Sequence, residues 1–239
     1  MKILHLISFA ILGTSCVAQA ADLKLSNLAG SQSSFKILSE NLGAATSYKG
    51  VIPAEPLGIT GFDIGAEITS TKITDKTVWA RATGSNSPDY LTQTKLHAHK
   101  GLPFGFDVGF VASNSTNSNI STVGGELRYA LVSGNVVMPA IGLRAAYTKV
   151  NGIDQLGLDN KSVELTISKG FLMFKPYAGI GHVWTSSRPD AGLGLAKEDI
   201  GQFRSYVGTN VNLGLINFAL EADKIGAATS LSAKVGLRF

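Results

Sequence analysis

The hydrophobic pattern changes its period along the chain. From about residue 58 onward apolar and polar residues alternate, as in Phe62–Thr69 and Phe104–Val111. Alternation places side chains on the two faces of a strand by turns, so it predicts β-structure with one apolar face. The predicted strands span roughly 59–70, 91–98, 104–112, 122–132, 137–149, 161–169, 174–185, 203–213, 216–224 and 230–239.

Two kinds of connection alternate between these strands. Short ones are predicted at 99–103, 133–135, 169–173 and 214–215, and longer polar ones at 71–90, 113–119, 151–161 and 186–201. Transmembrane barrels have short periplasmic turns and longer outer loops, whereas a soluble sandwich has no reason to sort its connections. Strands near ten residues also suit a tilted membrane strand. The pattern therefore predicts an all-β, antiparallel transmembrane β-barrel.

The strand number and register follow from the same pattern. Ten strands are predicted, and an even number places both chain ends in the periplasm. Residues 77–82 could hide a further strand, so eight or twelve strands remain alternatives. A two-residue turn at Gly214-Leu215 keeps Leu213 and Ile216 on the apolar face. A slip of one residue would turn Glu221 and Asp223 into lipid.

The first twenty residues have the pattern of a secretory signal peptide. Lys2 precedes an apolar centre at 6–12, and Ala18 and Ala20 occupy the positions that a signal peptidase requires for a cut after residue 20. The apolar centre is too short for a membrane span. Lipidation at Cys16 is disfavoured because Leu is absent three residues before it. Cleavage would remove this single cysteine, and with it any disulfide or thiolate metal site.

Residues 21–57 differ from the rest of the chain. Phe35, Leu38, Leu42 and Ala45 fall at helical spacing. We interpret this segment as an amphipathic helix followed by an extended linker, ahead of a barrel formed by residues 58–239. The favoured interpretation is a periplasmic helix on the mouth of the barrel. A plug inside the lumen is the alternative.

Four stretches resemble bacterial outer-membrane barrels. Phe239 follows apolar residues at every second position from Leu231, which resembles the closing strand that the barrel assembly machinery reads in that family. The stretch Lys175–Gly181 is similar to a recurring strand of small outer-membrane barrels. Gly58–Glu67 and Lys95–Gly105 resemble uncharacterised proteobacterial outer-membrane proteins, and this implies no activity. The resemblance implies a Gram-negative outer membrane, with lipid, lipopolysaccharide and the assembly machinery as partners.

The predicted inner face carries charges of both signs in near balance. Unpaired charges in a narrow lumen are expensive, so these residues are expected to pair. We favour a salt-bridged structural interior for the closed state, with a polar solute path as the alternative. The predicted lumen charges are Asp63, Glu67, Asp107, Glu126, Glu164, Glu221 and Asp223, against Lys95, Arg128, Arg144, Arg204, Lys234 and Arg238.

Candidate chemistry is sparse. His97 and His99 share the inner face, and a His-x-His pair is acceptable for a metal, but it lacks a third ligand because Asp107 is expected to pair with Lys95. Hydrogen bonding is therefore preferred, without a metal or other cofactor. His182 is predicted to face lipid. The sequence therefore predicts no site at which a nucleophile, a base and an acid converge, and the chain is not expected to be an enzyme.

The basic excess, with 21 Lys and Arg against 17 Asp and Glu, is not clustered, so no nucleic-acid partner is expected. Two function classes follow. One is a narrow or gated passage for a small solute, with the N-terminal segment or the loops as its gate. The other is a non-transport surface or scaffold barrel whose loops bind partners. An outer-membrane enzyme acting on lipid is the third.

Overall fold

The structure is a computed structural model that describes residues 22–239. The predicted signal peptide, residues 1–20, and Cys16 lie outside the described residues. Ten antiparallel strands close into a barrel in which every strand pairs with its chain neighbours and β1 pairs with β10. The strands are β1 Phe62–Lys72, β2 Tyr90–Gly101, β3 Phe106–Ser115, β4 Ser121–Val132, β5 Ala140–Asn151, β6 Leu156–Ser168, β7 Phe174–Pro189, β8 Glu198–Leu213, β9 Ile216–Ile225 and β10 Ala228–Arg238. The prediction of a ten-stranded barrel is confirmed.

The connections define two ends of the barrel. The turn end carries residues 102–105, 133–139, 169–173 and 214–215, and the loop end carries residues 73–89, 116–120, 152–155, 190–197 and 226–227. The predicted turn at Gly214-Leu215 is present, with Gly214 at φ 66° and Leu213 paired with Ile216. Glu221 and Asp223 consequently point inward and are buried.

Two sequence predictions about the loop end were wrong. Residues 77–82 belong to helix α2, Lys76–Thr83, because the Asp75 side chain accepts from the Val78 N–H (2.9 Å) and caps its first turn. The long loops predicted at 151–161 and 186–201 are shorter than predicted, because the strands extend into them and leave only 152–155 and 190–197 as loops. Strand pairing there continues among polar residues, for example Ser187 with Glu198, where no apolar alternation marks it.

The two faces of the barrel differ in polarity. Outward side chains such as Ile64, Leu165 and Val207 are apolar and exposed, whereas the inward face is polar and buried. Apolar side chains around the outside of a closed barrel are what a lipid bilayer requires. Within residues 22–239 no helix is long and apolar enough to cross a membrane.

Residues 22–57, here called the plug segment, thread the barrel from end to end. At the loop end the Leu23 N–H donates to Asn119 Oδ1 (3.1 Å). Further in, Ser39 Oγ donates to Ser187 Oγ (2.8 Å) near the loop end of β7. At the turn end the Leu57 N–H donates to Asp107 Oδ1 (3.0 Å), just before β1 begins.

The helix predicted in this segment is present as α1, Gln32–Thr46, but its predicted place at the mouth was wrong. It lies inside the loop-end half of the lumen. Small residues allow this, since a side-chain carbon at Gly43 would collide with Thr185 of the wall. The expectation that both chain ends share one side also fails, because residue 22 lies at the loop end and residue 239 at the turn end.

Candidate functional site in the plugged lumen

The loop-end half of the plug segment is held by an apolar cluster. Leu23, Leu25, Leu28, Phe35 and Leu42 of the plug segment are all at most 1% exposed. They pack against inward-turned residues of the wall and loops, which are Ile73, Val78, Trp79, Ala82, Leu91, Ile120, Val150, Ile153, Leu158 and Leu193. Burial of this many apolar side chains is the dominant favourable term for seating the segment.

The carboxyl end of α1 is satisfied by hydroxyl and amide groups of the wall. Thr148 Oγ1 donates to the Thr46 carbonyl (3.0 Å), and Asn160 Nδ2 donates to Thr46 Oγ1 (3.0 Å). Helix ends leave carbonyls without intrahelical partners, and these would be costly to bury unpaired. The polar wall therefore accepts the helix end in the middle of the barrel.

The structure places all the predicted lumen charges on the inner face. All except Arg238 are buried, and the Arg238 side chain is 9% exposed near the turn end. Six of these residues, from five strands, form a continuous chain of ion pairs that we call the ionic belt. Its members are Glu126, Arg144, Glu164, Arg204, Glu221 and Asp223.

Arg204 is the centre of the ionic belt. Its guanidinium lies 2.7 Å from Glu164, 2.9 Å from Glu221 and 3.5 Å from Asp223. Arg144 extends the chain by pairing with Glu164 and, at 3.5 Å, with Glu126. A buried guanidinium is tolerated only when several acceptors surround it, so the belt fixes the spacing of the strands that carry it.

The plug segment completes the belt with Lys49. Its Nζ lies 3.6 Å from Asp223 and donates to the Ala44 carbonyl (2.7 Å). The predicted lumen charges number seven acids and six bases, so Lys49 supplies the seventh base.

The backbone next to Lys49 also contacts the belt. Arg204 donates to the Tyr48 carbonyl (2.7 Å), and a side-chain carbon at Gly50 would collide with Arg144. The belt thus binds both the charge and the main chain of the plug segment.

His97 and His99 face two different carboxylates. Nε2 of His97 lies 2.6 Å from Glu67, and Nε2 of His99 lies 3.1 Å from Glu126 and 3.3 Å from the Tyr48 hydroxyl. Their rings are stacked at 5.7 Å between centroids, so the two nitrogens do not converge on one point. In the part of the chain that the structure describes, no three His, Cys, Asp or Glu residues are arranged to hold a metal ion.

The pairing expected between Lys95 and Asp107 was wrong. Lys95 Nζ lies 3.0 Å from Glu67, and Asp107 lies 3.5 Å from Arg128. Lys95 is opposite Glu67 in the β1–β2 pair, whereas Asp107 is opposite Arg128 in the β3–β4 pair. In the β2–β3 pair Asp107 is opposite Gly101 and Lys95 is opposite Ser113, so the register keeps Lys95 and Asp107 apart, and each pairs with its direct cross-strand neighbour.

The turn-end half of the lumen holds the exit of the plug segment. Arg128 donates to the carbonyls of Pro53 (2.6 Å) and Glu55 (3.3 Å), and Glu55 pairs with Lys175. Lys234 lies 3.1 Å from Asp63. These contacts are polar, in contrast to the apolar cluster at the loop end.

Sequence reasoning missed Tyr48 and Lys49 as lumen residues. The imbalance of seven acids against six bases was the signal that could have indicated an outside cation. His182 lies on the outer surface against Trp184 (4.6 Å between ring centroids), as predicted. The nearby Ser186 donates to Asp199 (2.9 Å), and Ser187 contacts Ser39 inside the barrel.

The described features define the class of this protein as a plugged transmembrane β-barrel. No family model and no curated protein matches the chain. Among solved structures it is similar to the KdgM porin, with 10% identity over 74% of this chain and 99% of that chain and a TM-score of 0.37. It is also similar to the N-terminal β-barrel domain of Pseudomonas aeruginosa OprF, with 10% identity, 76% and 99% coverage and a TM-score of 0.35. The β domain of the Bordetella autotransporter BrkA matches with 12% identity, 75% and 100% coverage and a TM-score of 0.43. These scores carry no function over to this chain.

Proposed function

We propose that this protein is an outer-membrane β-barrel with a porin-like passage for small polar solutes, closed by its own N-terminal segment. The observation that carries the proposal is that one continuous segment, joined to the barrel only at β1, fills a lumen whose wall is ionisable. Closed barrels with an apolar exterior are the β-structures that span membranes. The turn end would face the periplasm, as short turns do in this class.

The composition of the wall supports a passage. The lumen of a small barrel is usually filled by the side chains of its own strands. Here the plug segment occupies that space, and Arg204, Glu164 and Asp223 would line a polar path once it leaves. Positive and negative side chains at the same depth in the lumen favour small polar solutes over ions of one sign.

A permanent plug is the rival function, and the apolar cluster favours it. Leu25, Leu28, Phe35 and Trp79 would all be exposed to water if α1 left the lumen. In that case the barrel is a scaffold that displays its loops to partners. The two functions differ in whether the plug segment ever moves.

A reversible crosslink tests this directly. Ser39 of α1 and Ser187 of β7 have their Oγ atoms 2.8 Å apart, so Ser39→Cys with Ser187→Cys places two thiols at bonding distance. Residues 21–239, which contain no other cysteine, are refolded, and single-channel conductance is recorded in urea. The urea concentrations are those at which heat-modifiable migration shows that the barrel is still folded. We expect openings in the reduced protein and none in the oxidised protein.

The single variant Ser39→Cys is the matched control, and it should open under both conditions. If the reduced double variant stays silent at every urea concentration that preserves the barrel, the passage is wrong and the scaffold function replaces it. If the oxidised protein opens as often as the reduced one, solutes do not pass where α1 lies.

The proposed location also defines the partners. Phe239 stacks on Phe62 at 6.0 Å and exchanges two backbone hydrogen bonds with it, which closes the seam between β10 and β1. Its role as a signal for the barrel assembly machinery is part of this proposal. So is contact of the outer surface with membrane lipid and, near the loop end, with lipopolysaccharide.

A further inference from the structure

Apolar side chains of the connections have opposite orientations at the two ends of the barrel. At the loop end, apolar residues of the connections such as Ile73, Trp79 and Ile153 turn inward and are buried in the apolar cluster. At the turn end, apolar residues of the connections point away from the protein. The most exposed apolar residues of each connection, together with Ile59 ahead of β1, form a group that we call the crown: Ile59 (66% exposed), Phe104 (91%), Val136 (95%), Val137 (84%), Leu172 (100%) and Leu215 (58%).

The crown surrounds the whole rim. Every connection at the turn end contributes to it, as does the residue ahead of β1. In the described part of the chain, none of the connections at the loop end carries an exposed large apolar side chain. A protein partner would need a patch on one side, whereas a complete ring fits a medium that surrounds the barrel. The crown is also continuous with the apolar outer surface of the strands.

The spacing of polar residues on the outer surface places the crown in the bilayer. The first outward polar residues toward the loop end are Ser70, Asn114, Lys149, Lys161 and Lys224 on five different strands. A tilted strand crosses the hydrocarbon core in about ten residues. Counting about ten residues toward the turn end from each of them reaches the crown or a residue within three positions of it.

Backbone polar groups of the turn at 133–139 are hydrogen-bonded to side chains of the protein and need no water. Asn135 Oδ1 accepts from the Val137 and Met138 N–H groups, both at 2.8 Å. Lys169 Nζ donates to the carbonyls of Asn135 (3.0 Å) and Val136 (2.7 Å). Backbone groups that lack a hydrogen-bond partner are very unfavourable in lipid, so immersion of the turns requires this internal pairing.

We infer that the crown is immersed in the lipid of the leaflet next to the turn end, so that the barrel lies low in the membrane and its loop end projects. The partner is the boundary between acyl chains and headgroups. Lys100 and Lys169 lie at this rim and direct their ammonium groups to backbone carbonyls. This inference rests on the membrane location proposed above.

The test measures depth with a fluorophore on single cysteines in residues 21–239. Leu172→Cys reports the crown, Val207→Cys the middle of the outer surface and Ala191→Cys the loop end. Each is labelled with a nitrobenzoxadiazole and refolded into phosphatidylcholine vesicles with bromine either near the glycerol or deep in the acyl chains. We expect loss of Leu172 fluorescence mainly with the shallow bromine, loss at Val207 mainly with the deep one, and none at Ala191.

The outcomes separate the two proposals. If Val207 is quenched and Leu172 is as unaffected as Ala191, the barrel spans the bilayer but the crown faces water, and a protein partner becomes its occupant. If Leu172 and Val207 are both unaffected in a folded barrel, the membrane location itself is wrong. Folding of each variant is verified by heat-modifiable migration before labelling.

Discussion

Lys49 shows how a single side chain can decide the electrostatics of a lumen. It lies on the plug segment, yet its ammonium neutralises a surplus carboxylate of the wall at Asp223. Both side chains are at most 1% exposed, so solvent screens their attraction little. A buried charge that loses its partner costs far more than an exposed one.

We therefore predict that Lys49→Ala destabilises the seated plug segment by about 3 kcal/mol, the lower end of the range for a broken buried pair. The measurement is the urea concentration at which the protease sensitivity of α1 appears. Lys36→Ala, which removes an exposed charge from the same segment, should leave it unchanged.

The double variant Lys49→Ala with Asp223→Asn should recover part of the loss, because it removes the unpaired carboxylate as well. If Lys49→Ala behaves like Lys36→Ala, the pair with Asp223 does not hold the plug segment.

Helix α1 fits the lumen because it is narrow on one side. Gly43 faces Thr185 so closely that any side chain at this position would collide with the wall. The interior of a folded protein is close-packed, so the helix cannot shift without losing contacts elsewhere. The element and the cavity are thus matched in width.

From this match we expect Gly43→Val to expel α1 partly from the lumen. Labelling at a cysteine placed at Ala45, which is 2% exposed in the parent protein, should become at least several-fold faster. Ser33→Val, on the exposed side of the same helix, provides the control and should not change the labelling rate. Equal rates in the two variants would mean that the helix tolerates a wider residue and is less tightly seated than the structure shows.

The threaded path of the chain is a property of the whole molecule. The plug segment runs from Asn119 and Leu193 at the loop end to Asp107 at the turn end, and then continues into β1. Residue 22 and the start of β1 therefore lie at opposite ends of the lumen.

This topology predicts that Asp22 is accessible from the loop side of the membrane. A cysteine at Asp22 should react with a membrane-impermeant maleimide in intact cells as readily as one at Ala191 of the loop end. A cysteine at Ser133 of the turn end should react only after the outer membrane is opened. Protection of Asp22 together with Ser133 would contradict the threaded path.

The sequence by itself determined the barrel. Alternation along residues such as Val163, Leu165 and Ile167 identified the strands, because a two-residue period leaves only one way to keep apolar side chains in lipid. The helical spacing from Phe35 to Ala45 identified α1 for the same kind of reason. The inward placement of Arg204 and Glu164 followed from their positions in this alternation alone.

Only the tertiary structure decided where α1 lies and which charges pair. The apolar stripe of a helix can be buried either against the rim of the barrel or inside its lumen, and the sequence of the stripe does not distinguish these two places. The pairs Lys95 with Glu67 and Asp107 with Arg128 depend on strand register, and Lys49 with Asp223 on the threading of the plug segment. Local periodicity fixes which face a side chain occupies, but contacts between distant segments depend on how the whole chain closes.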